Sequence, residues 1–145
     1  MEYKDFSDED IQKSLISFKN FLQWTRQFKF EPIEIEPHLV SEEHEFGGTP
    51  DVRAFVMDER CLVDWKTGKI YEDVFVQLAG YDILCQENYP DEPNDGGFHV
   101  LRIPKNEDVP SFHHSHWKVL PNEAYIAVYS ARDLRDCQRV LKKLL

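Results

Sequence analysis

Gly48-Thr49-Pro50-Asp51, then an apolar run, then Leu62-Val63-Asp64-Trp65-Lys66: these two stretches decide how the chain folds. A Gly/Pro turn feeds a strand predicted over 51–57. Asp58-Glu59-Arg60 turns the chain, and a further strand is predicted over 61–66. The connection is short enough for an antiparallel hairpin. The two-residue period of a strand puts Asp64 and Lys66 on one face, and hairpin pairing carries Asp51 toward Asp64. Two carboxylates beside an amine suit a divalent cation, which takes hard oxygen ligands and can activate water or neutralise phosphate charge. The Trp65 carbonyl is a further candidate ligand. Lys66 can orient an attacking water, or act as a base if adjacent cations lower its pKa. Taken alone, an Asp-x-Lys triplet reads as a salt bridge on a strand surface, since such triplets are common; the flanking Val63 and Trp65, the Gly-x-Pro-Asp turn and the Gln and Tyr on the next helix embed it in more.

Working outward, Ser7 and Asp10 read as a helix N-cap with an acidic first turn. Ile11, Leu15, Phe18, Leu22 and Phe28 recur at helical spacing and predict a helix over 8–28. Pro32 and Pro37 bracket the alternating Ile33-Glu34-Ile35-Glu36, which predicts a short strand, and Gly47-Gly48 is read as a chain break. After Thr67-Gly68-Lys69 ends the hairpin, Val74, Leu78, Tyr81 and Leu84 or Cys85 predict a helix over 71–87. A Pro/Gly/Asp-rich loop over 89–97, a strand over 98–104 and a polar loop over 105–110 follow. The segment 117–120 reads as strand or coil, and a last helix is predicted over 131–145. The order α-β-β-β-α-β with a closing helix predicts one domain over 1–145, of α/β (α+β) class, with a mixed sheet flanked by helices.

Composition narrows the function classes. Hydrophobic residues are 41% of the chain and aromatics 13%, enough for a core and too many for a disordered polymer. No apolar run approaches the ~20 residues that span a bilayer, so no membrane association is expected. Met1-Glu2-Tyr3-Lys4-Asp5 lacks a signal-peptide pattern, which predicts an intracellular, cytoplasmic protein. Cys61, Cys85 and Cys137 show no C-x-x-C pairing and are expected to be reduced and mostly buried. The net charge of −10 argues against a surface that coats nucleic acid generally, without excluding a focused site. Between Lys69 and Arg102 there is no Lys or Arg, while Glu72, Asp73, Asp82, Glu87, Asp91, Glu92 and Asp95 all fall there. That segment is expected to face water or another protein.

Gly48-Thr49-Pro50-Asp51, Asp64-Trp65-Lys66-Thr67-Gly68-Lys69 and Gln77-Leu78-Ala79-Gly80-Tyr81 together resemble the successive motifs of the PD-(D/E)XK nuclease superfamily. Their arrangement is most similar to its RecB-like branch, which includes phage exonucleases and CRISPR-associated and mitochondrial relatives. The likeness covers about 36–81. It implies a restriction-endonuclease-like core and a metal-dependent deoxyribonuclease, exonuclease-like, that uses Mg2+ or Mn2+ and binds single- or double-stranded DNA. By resemblance Asp51, Asp64 and Lys66 are the catalytic residues, with Asp51, Asp64 and the Trp65 carbonyl as metal ligands. Gln77 and Tyr81, four apart on one helix face, orient the lysine and contact substrate. Glu36 is the tentative upstream acid, ahead of Glu43 and Glu34. RecB-like relatives often carry a metal-binding His on a preceding helix, whereas the first His here is His38. The alternative is a catalytically inactive nuclease-fold module that binds nucleic acid or protein. A small phosphate ester is a third substrate class, and a protein partner or homo-oligomer is open.

Two secondary signals remain. Arg132, Arg135, Arg139, Lys142 and Lys143 form a basic stripe opposite Leu134, Cys137, Val140, Leu141 and Leu144. It reads as a solvated amphipathic face or, more sharply, as a phosphate contact to which Lys19, Arg26 and Lys29 add. His113, His114 and His116 beside Trp117 read as an edge-strand or loop surface, or as a site for a transition metal or a stacked base.

Overall fold

The computed structural model describes residues 6–104 and 112–145; the polar loop expected over 105–110 lies outside them. Helix α1 runs over Asp8–Gln27. Strands β1 (Glu31–Ile35), β2 (Leu39–Ser41), β3 (Phe46–Gly48), β4 (Val52–Val56) and β5 (Glu59–Lys66) follow, then helix α2 (Asp73–Asn88). Strands β6 (Gly97–Arg102) and β7 (His113–Trp117) precede helix α3 (Asn122–Lys142). The main sheet has the order β1-β4-β5-β6-β7, while β2 and β3 form a separate two-stranded hairpin. All pairings in the main sheet are antiparallel except β5 with β6, which is parallel because α2 crosses between them. Omitting the β2–β3 hairpin, the chain through β6 follows the expected α-β-β-β-α-β order. The class is α+β, a mixed five-stranded sheet flanked by helices, consistent with a restriction-endonuclease-like core.

Local rules explain the central hairpin. Met57 and Asp58 both adopt positive φ, 50° and 66°, the geometry of a two-residue turn whose twist matches that of paired strands. The turn is thus one residue earlier than Asp58-Glu59-Arg60 suggests, and Glu59 and Arg60 belong to β5. At the start of α1, the Ser7 side chain accepts from the Asp10 N–H while Asp10 accepts from the Ser7 N–H, a complete capping box.

The sheet separates two cores. On one face Trp24, Val52, Ala54, Val56, Cys61, Val63 and Leu101 pack under α1, with Phe21, Phe28, Phe30 and Trp65 around them. On the other, Leu62, Leu78, Leu84, Val100 and Ala124 pack between the sheet, α2 and α3. Alternation along β5 sends Val63 to the first core and Leu62 to the second. Asp64 and Lys66 follow Leu62 by that alternation, which places them on the α2 face.

Five expectations change. Gly47-Gly48 does not break the chain but pairs in β3, with Gly47 opposite Val40 and Gly48 opposite Leu39. The last helix starts at Asn122, because Asn122–Ser130 extends it by more than two turns. The ambiguous stretch near 117–120 is preceded by a full edge strand, β7. The acidic segment between Lys69 and Arg102 exposes Glu72, Asp73, Asp91 and Asp95 as expected, with one buried exception. Asp82 is only 7% exposed, accepts from Tyr125 OH at 2.7 Å and Gln86 Nε2 at 2.8 Å, and thereby ties α2 to α3. The helical periodicity of α1 also misleads about its inner face. Ile11, Leu15 and Phe18 are exposed, and the helix buries Asn20 and Trp24 instead.

Candidate active site

Asp51 stands between β3 and β4, and Asp64 lies near the end of β5. Asp51 Oδ2 accepts from the backbone N–H of Trp65 at 2.8 Å, so the first carboxylate is pinned to the strand that carries the second. Asp64 is 2% exposed. Burial is the largest influence on its carboxyl and raises its pKa above the ordinary 3.8, opposed by Lys66 and reinforced by the charge of Asp51. Lys66 Nζ lies 2.9 Å from Asp64 Oδ2. The angle there does not make a hydrogen bond, so this buried oxygen has an ionic neighbour but no hydrogen-bond donor. At 2.9 Å the attraction acts whatever the angle.

Lys66 Nζ donates to Gln77 Oε1 at 2.9 Å. Gln77 Nε2 donates in turn to Tyr81 OH at 2.9 Å. Because Gln77 and Tyr81 are one helical turn apart, α2 presents both to the end of β5. The result is a continuous polar chain, Asp64–Lys66–Gln77–Tyr81, running from a buried carboxylate to the surface. Tyr81 owes its position partly to Gly48: a Cβ there would lie 3.1 Å from the Tyr81 ring and 3.1 Å from Leu84 Cδ1.

The structure brings together Asp51, Asp64, Lys66, Gln77 and Tyr81. The Trp65 backbone joins them through its N–H, while its ring turns to the α1 core. Glu36 is adjacent only through its backbone, whose N–H donates to the Asp51 carbonyl at 2.9 Å; its side chain is exposed. Glu34 is engaged elsewhere. It accepts from Tyr89 OH at 2.6 Å and from Arg53 at 3.2 Å, and Arg53 also binds Glu92 at 2.7 Å and stacks 3.4 Å over the Tyr89 ring. Those contacts hold the buried Arg53 charge and leave Glu34 structural. Glu43 is exposed on the β2–β3 turn, where its N–H donates to Glu87 Oε1 at 3.4 Å.

Among the described residues no cluster of three or more His, Cys, Asp or Glu is arranged to hold a metal ion. Mg2+ needs only one or two carboxylates with further oxygens from water and substrate. Asp51 and Asp64 fit that requirement: two carboxylates whose charges oppose one another, one of them buried without a donor.

His113, His114 and His116 lie on the edge strand β7, as the edge-strand reading expects, but they gain a partner that the sequence reading does not name. His99, on β6, stacks between His114 and His116 of β7, with ring centroids 5.0 Å and 4.1 Å away and planes inclined by only 12° and 3°. His99 Nδ1 and His114 Nε2 are 2.8 Å apart, and His116 Nε2 donates to the Gly96 carbonyl at 2.7 Å. Parallel rings do not converge on one ion. His99 shares the sheet face of Leu101, under α1, and His114 packs edge-on to Phe28 at 4.2 Å; the cluster is across the sheet from Asp64. Nothing in the spacing of His99 from His114 signals this partnership.

Sequence reasoning also missed the neighbours of the polar chain. Phe46, Gly47 and Gly48 of β3, with Arg132 and Arg135 of α3, wall a cleft that includes Gln77 and Tyr81. The basic stripe was visible, but the early start of α3 was not, and with it the direction in which these arginines point. Arg139 is exposed beside Asp136. Lys19 and Arg26 lie on α1, across the sheet from α3, and Lys29 pairs with Asp58 at 3.1 Å. Cys61 and Cys85 are buried free thiols, Cys137 is exposed, and burial raises the Cys61 pKa to about 12.

No protein-family model matches the chain, and no curated protein matches it. Among solved structures, one similar to it is the crystal structure of a "putative exonuclease" from Eubacterium rectale, at 9% sequence identity and a TM-score of 0.46, covering 97% of this chain and 69% of that one.

Proposed function

We propose that this protein is a Mg2+- or Mn2+-dependent deoxyribonuclease, exonuclease-like in action, that hydrolyses phosphodiester bonds. The observation that carries this reading is the connected set Asp51, Asp64, Lys66, Gln77 and Tyr81, assembled from three separate elements at one end of the sheet. Asp51 and Asp64 would hold the ion, with the Trp65 carbonyl as a further oxygen donor; the Glu36 carboxylate, exposed and joined to Asp51 only through its backbone, is left out of the set. A bound ion supplies Lewis-acid polarisation of the phosphate and lowers the pKa of water.

The chain's own residues then have distinct tasks. Asp51 keeps its carboxylate facing Asp64 by accepting from the Trp65 N–H. Lys66, fixed between Asp64 and Gln77, orients the attacking water as an ammonium, or takes its proton once neutral. Gln77 spends both ends of its amide on Lys66 and Tyr81, which locks the lysine in place. Tyr81 accepts from Gln77, so its own O–H is left to donate to a backbone phosphate of DNA.

The test is cleavage of single- and double-stranded DNA in Mg2+ and Mn2+ by wild type and Lys66→Ala. A loss of about 10²–10⁴-fold in the variant is expected, the usual range for removal of a proton-handling group. Undiminished cleavage by Lys66→Ala sinks the mechanism. Calorimetric titration with Mn2+ separates the inactive-module reading: absence of saturable binding that Asp64→Ala abolishes, together with absence of cleavage, favours a module that binds without cutting.

A further inference from the structure

The cleft beside the polar chain has a volume of about 510 Å3, within the roughly 300–1,000 Å3 of small-ligand sites. Its apolar wall is Phe46, Val76, Leu84 and Val128, and its glycine edges are Gly47, Gly48 and Gly80. Its far side is charged. Arg132 and Arg135 of α3 both line it, and Arg132 Nε is shielded from solvent with no hydrogen-bond partner. Asp136 accepts from Nε and a terminal nitrogen of Arg135 at 3.2 Å each, whereas Arg132 has its carboxylates, Asp133 and Asp136, only at 3.9 Å, which makes Arg132 the less neutralised of the two. Asp73 is the acid on the cleft's own wall. On a chain of net charge −10, two half-buried arginines on the wall of an apolar cleft, one with an unpartnered Nε, supply guanidinium donors where an anionic group would enter.

We propose that this cleft receives the base of an unpaired nucleotide next to the phosphate to be cut, while Arg132 and Arg135 hold that nucleotide's own phosphate. The inference rests on the nuclease reading above and adds its substrate class: a single-stranded DNA end or segment. Continuity supports it. Gln77 and Tyr81 belong both to the cleft and to the chain from Asp64, so a strand whose phosphate reaches Lys66 has its neighbouring base at the cleft. The chemistry matches a nucleotide, with aromatic and aliphatic surface for the base face and guanidinium groups for the phosphate. A base stacked inside a duplex cannot enter a cleft of this kind without being unpaired first, which sets the preference for single strands.

Room to block the site exists at Gly80, where an added Cβ would meet only Val128 at 3.9 Å and Phe46 at 4.0 Å. Gly80→Leu therefore projects into the cleft. A second variant, Arg132→Ala with Arg135→Ala, leaves the apolar wall intact. Binding of fluorescent oligothymidylate, the same strand with one abasic site, and a matched duplex would be measured by anisotropy, each variant carried in a Lys66→Ala background to prevent cutting. KM and kcat for single-stranded DNA would be measured in the active background. The expected result is about tenfold or greater weakening of oligothymidylate binding by either variant, with KM raised and kcat largely kept. The abasic strand should be less sensitive to Gly80→Leu than the intact one, and the duplex should bind more weakly than either. Wild-type binding and KM in both variants would overturn the cleft assignment and leave the nuclease reading standing. Arginine-dependent binding of the single strand with no cleavage in Mg2+ or Mn2+ would do the reverse.

Discussion

The two faces of the sheet are built on opposite principles. Under α1, stability comes from close-packed rings: Trp24 is fully buried, lies 5.1 Å from Phe30 and 6.1 Å from Phe28, and is met edge-on by the His114 imidazole at 5.8 Å, on which His99 stacks. Under α2, the end of the sheet holds a buried carboxylate with no hydrogen-bond donor on one oxygen, an amine beside it and an amide relay. The first face gains from burial, about 1.5–3 kcal/mol for a fully buried large apolar side chain. The second spends burial on Asp64, whose raised pKa records how poorly the charged form is solvated. Folding alone gives little reason to place a carboxylate there; binding a cation does. The contrast teaches that the aromatic face carries the fold, while the polar end is where the proposed chemistry belongs.

The strongest way to break that contrast is Trp24→Ala, which should cost about 3–5 kcal/mol in a urea or thermal unfolding experiment. Lys66→Ala, which leaves the buried Asp64 carboxyl without its neighbouring cation, should cost less than that. If the two variants were equally destabilised, the division of labour between the faces would be wrong.

Acid should attack the aromatic face next. Burial, then the neighbouring His116 and His114, depress the His99 pKa from 6.5 to about 3, and burial also lowers that of His114. A folded pKa below the unfolded one means that the stabilisation is whole above about pH 6.5 and is lost as pH falls toward 3, because the unfolded chain binds the extra proton. The loss from His99 alone should approach about 1.4 kcal/mol per pH unit inside that window. Urea midpoints measured across it should show the slope, and His99→Leu should flatten it. A slope unchanged in His99→Leu would remove the imidazole stack from the account.

Smaller effects sharpen the polar end. Gln77→Ala frees Lys66 from its fixed position and should lower kcat for DNA cleavage by about 10²-fold, with KM and the unfolding midpoint near wild type. Tyr81→Phe keeps the ring against Gly48 and deletes only the hydroxyl, a loss on the order of 1 kcal/mol, so a severalfold fall in kcat/KM is expected. If Tyr81→Phe matched Gln77→Ala, the tyrosine and not the lysine would be what the amide positions.

Much of the site was legible because it is written in local geometry. A strand alternates every two residues, so Asp64 and Lys66 had to share a face. A helix turns every 3.6, so Gln77 and Tyr81 had to do the same. The tight Met57–Asp58 turn leaves little freedom in how β4 meets β5. Elements with weaker local signals escaped. Phe46-Gly47-Gly48 resembles a break because glycine lowers strand propensity, yet pairing with β2 and packing against α2 make it β3. Asn122–Ser130 has no side-chain cap at Pro121 to announce a helix, so the start of α3 and the inward turn of Arg132 and Arg135 were hidden.

From Gly48 to Tyr81, residue type and spacing were sufficient to place Asp64 with Lys66 and Gln77 with Tyr81 on shared faces, because each relation spans one hairpin or one helical turn; the resemblance to nuclease motifs was what marked them as a candidate site. The walls around them were settled in three dimensions. Whether α3 closes over α2, whether His99 meets His114 and His116, and whether Asp82 faces water or Tyr125 all depend on where β6 inserts beside β5 and how the helices then cover the sheet. Those are long-range pairings, chosen by the total burial of both faces at once, and no short window of the chain carries that sum.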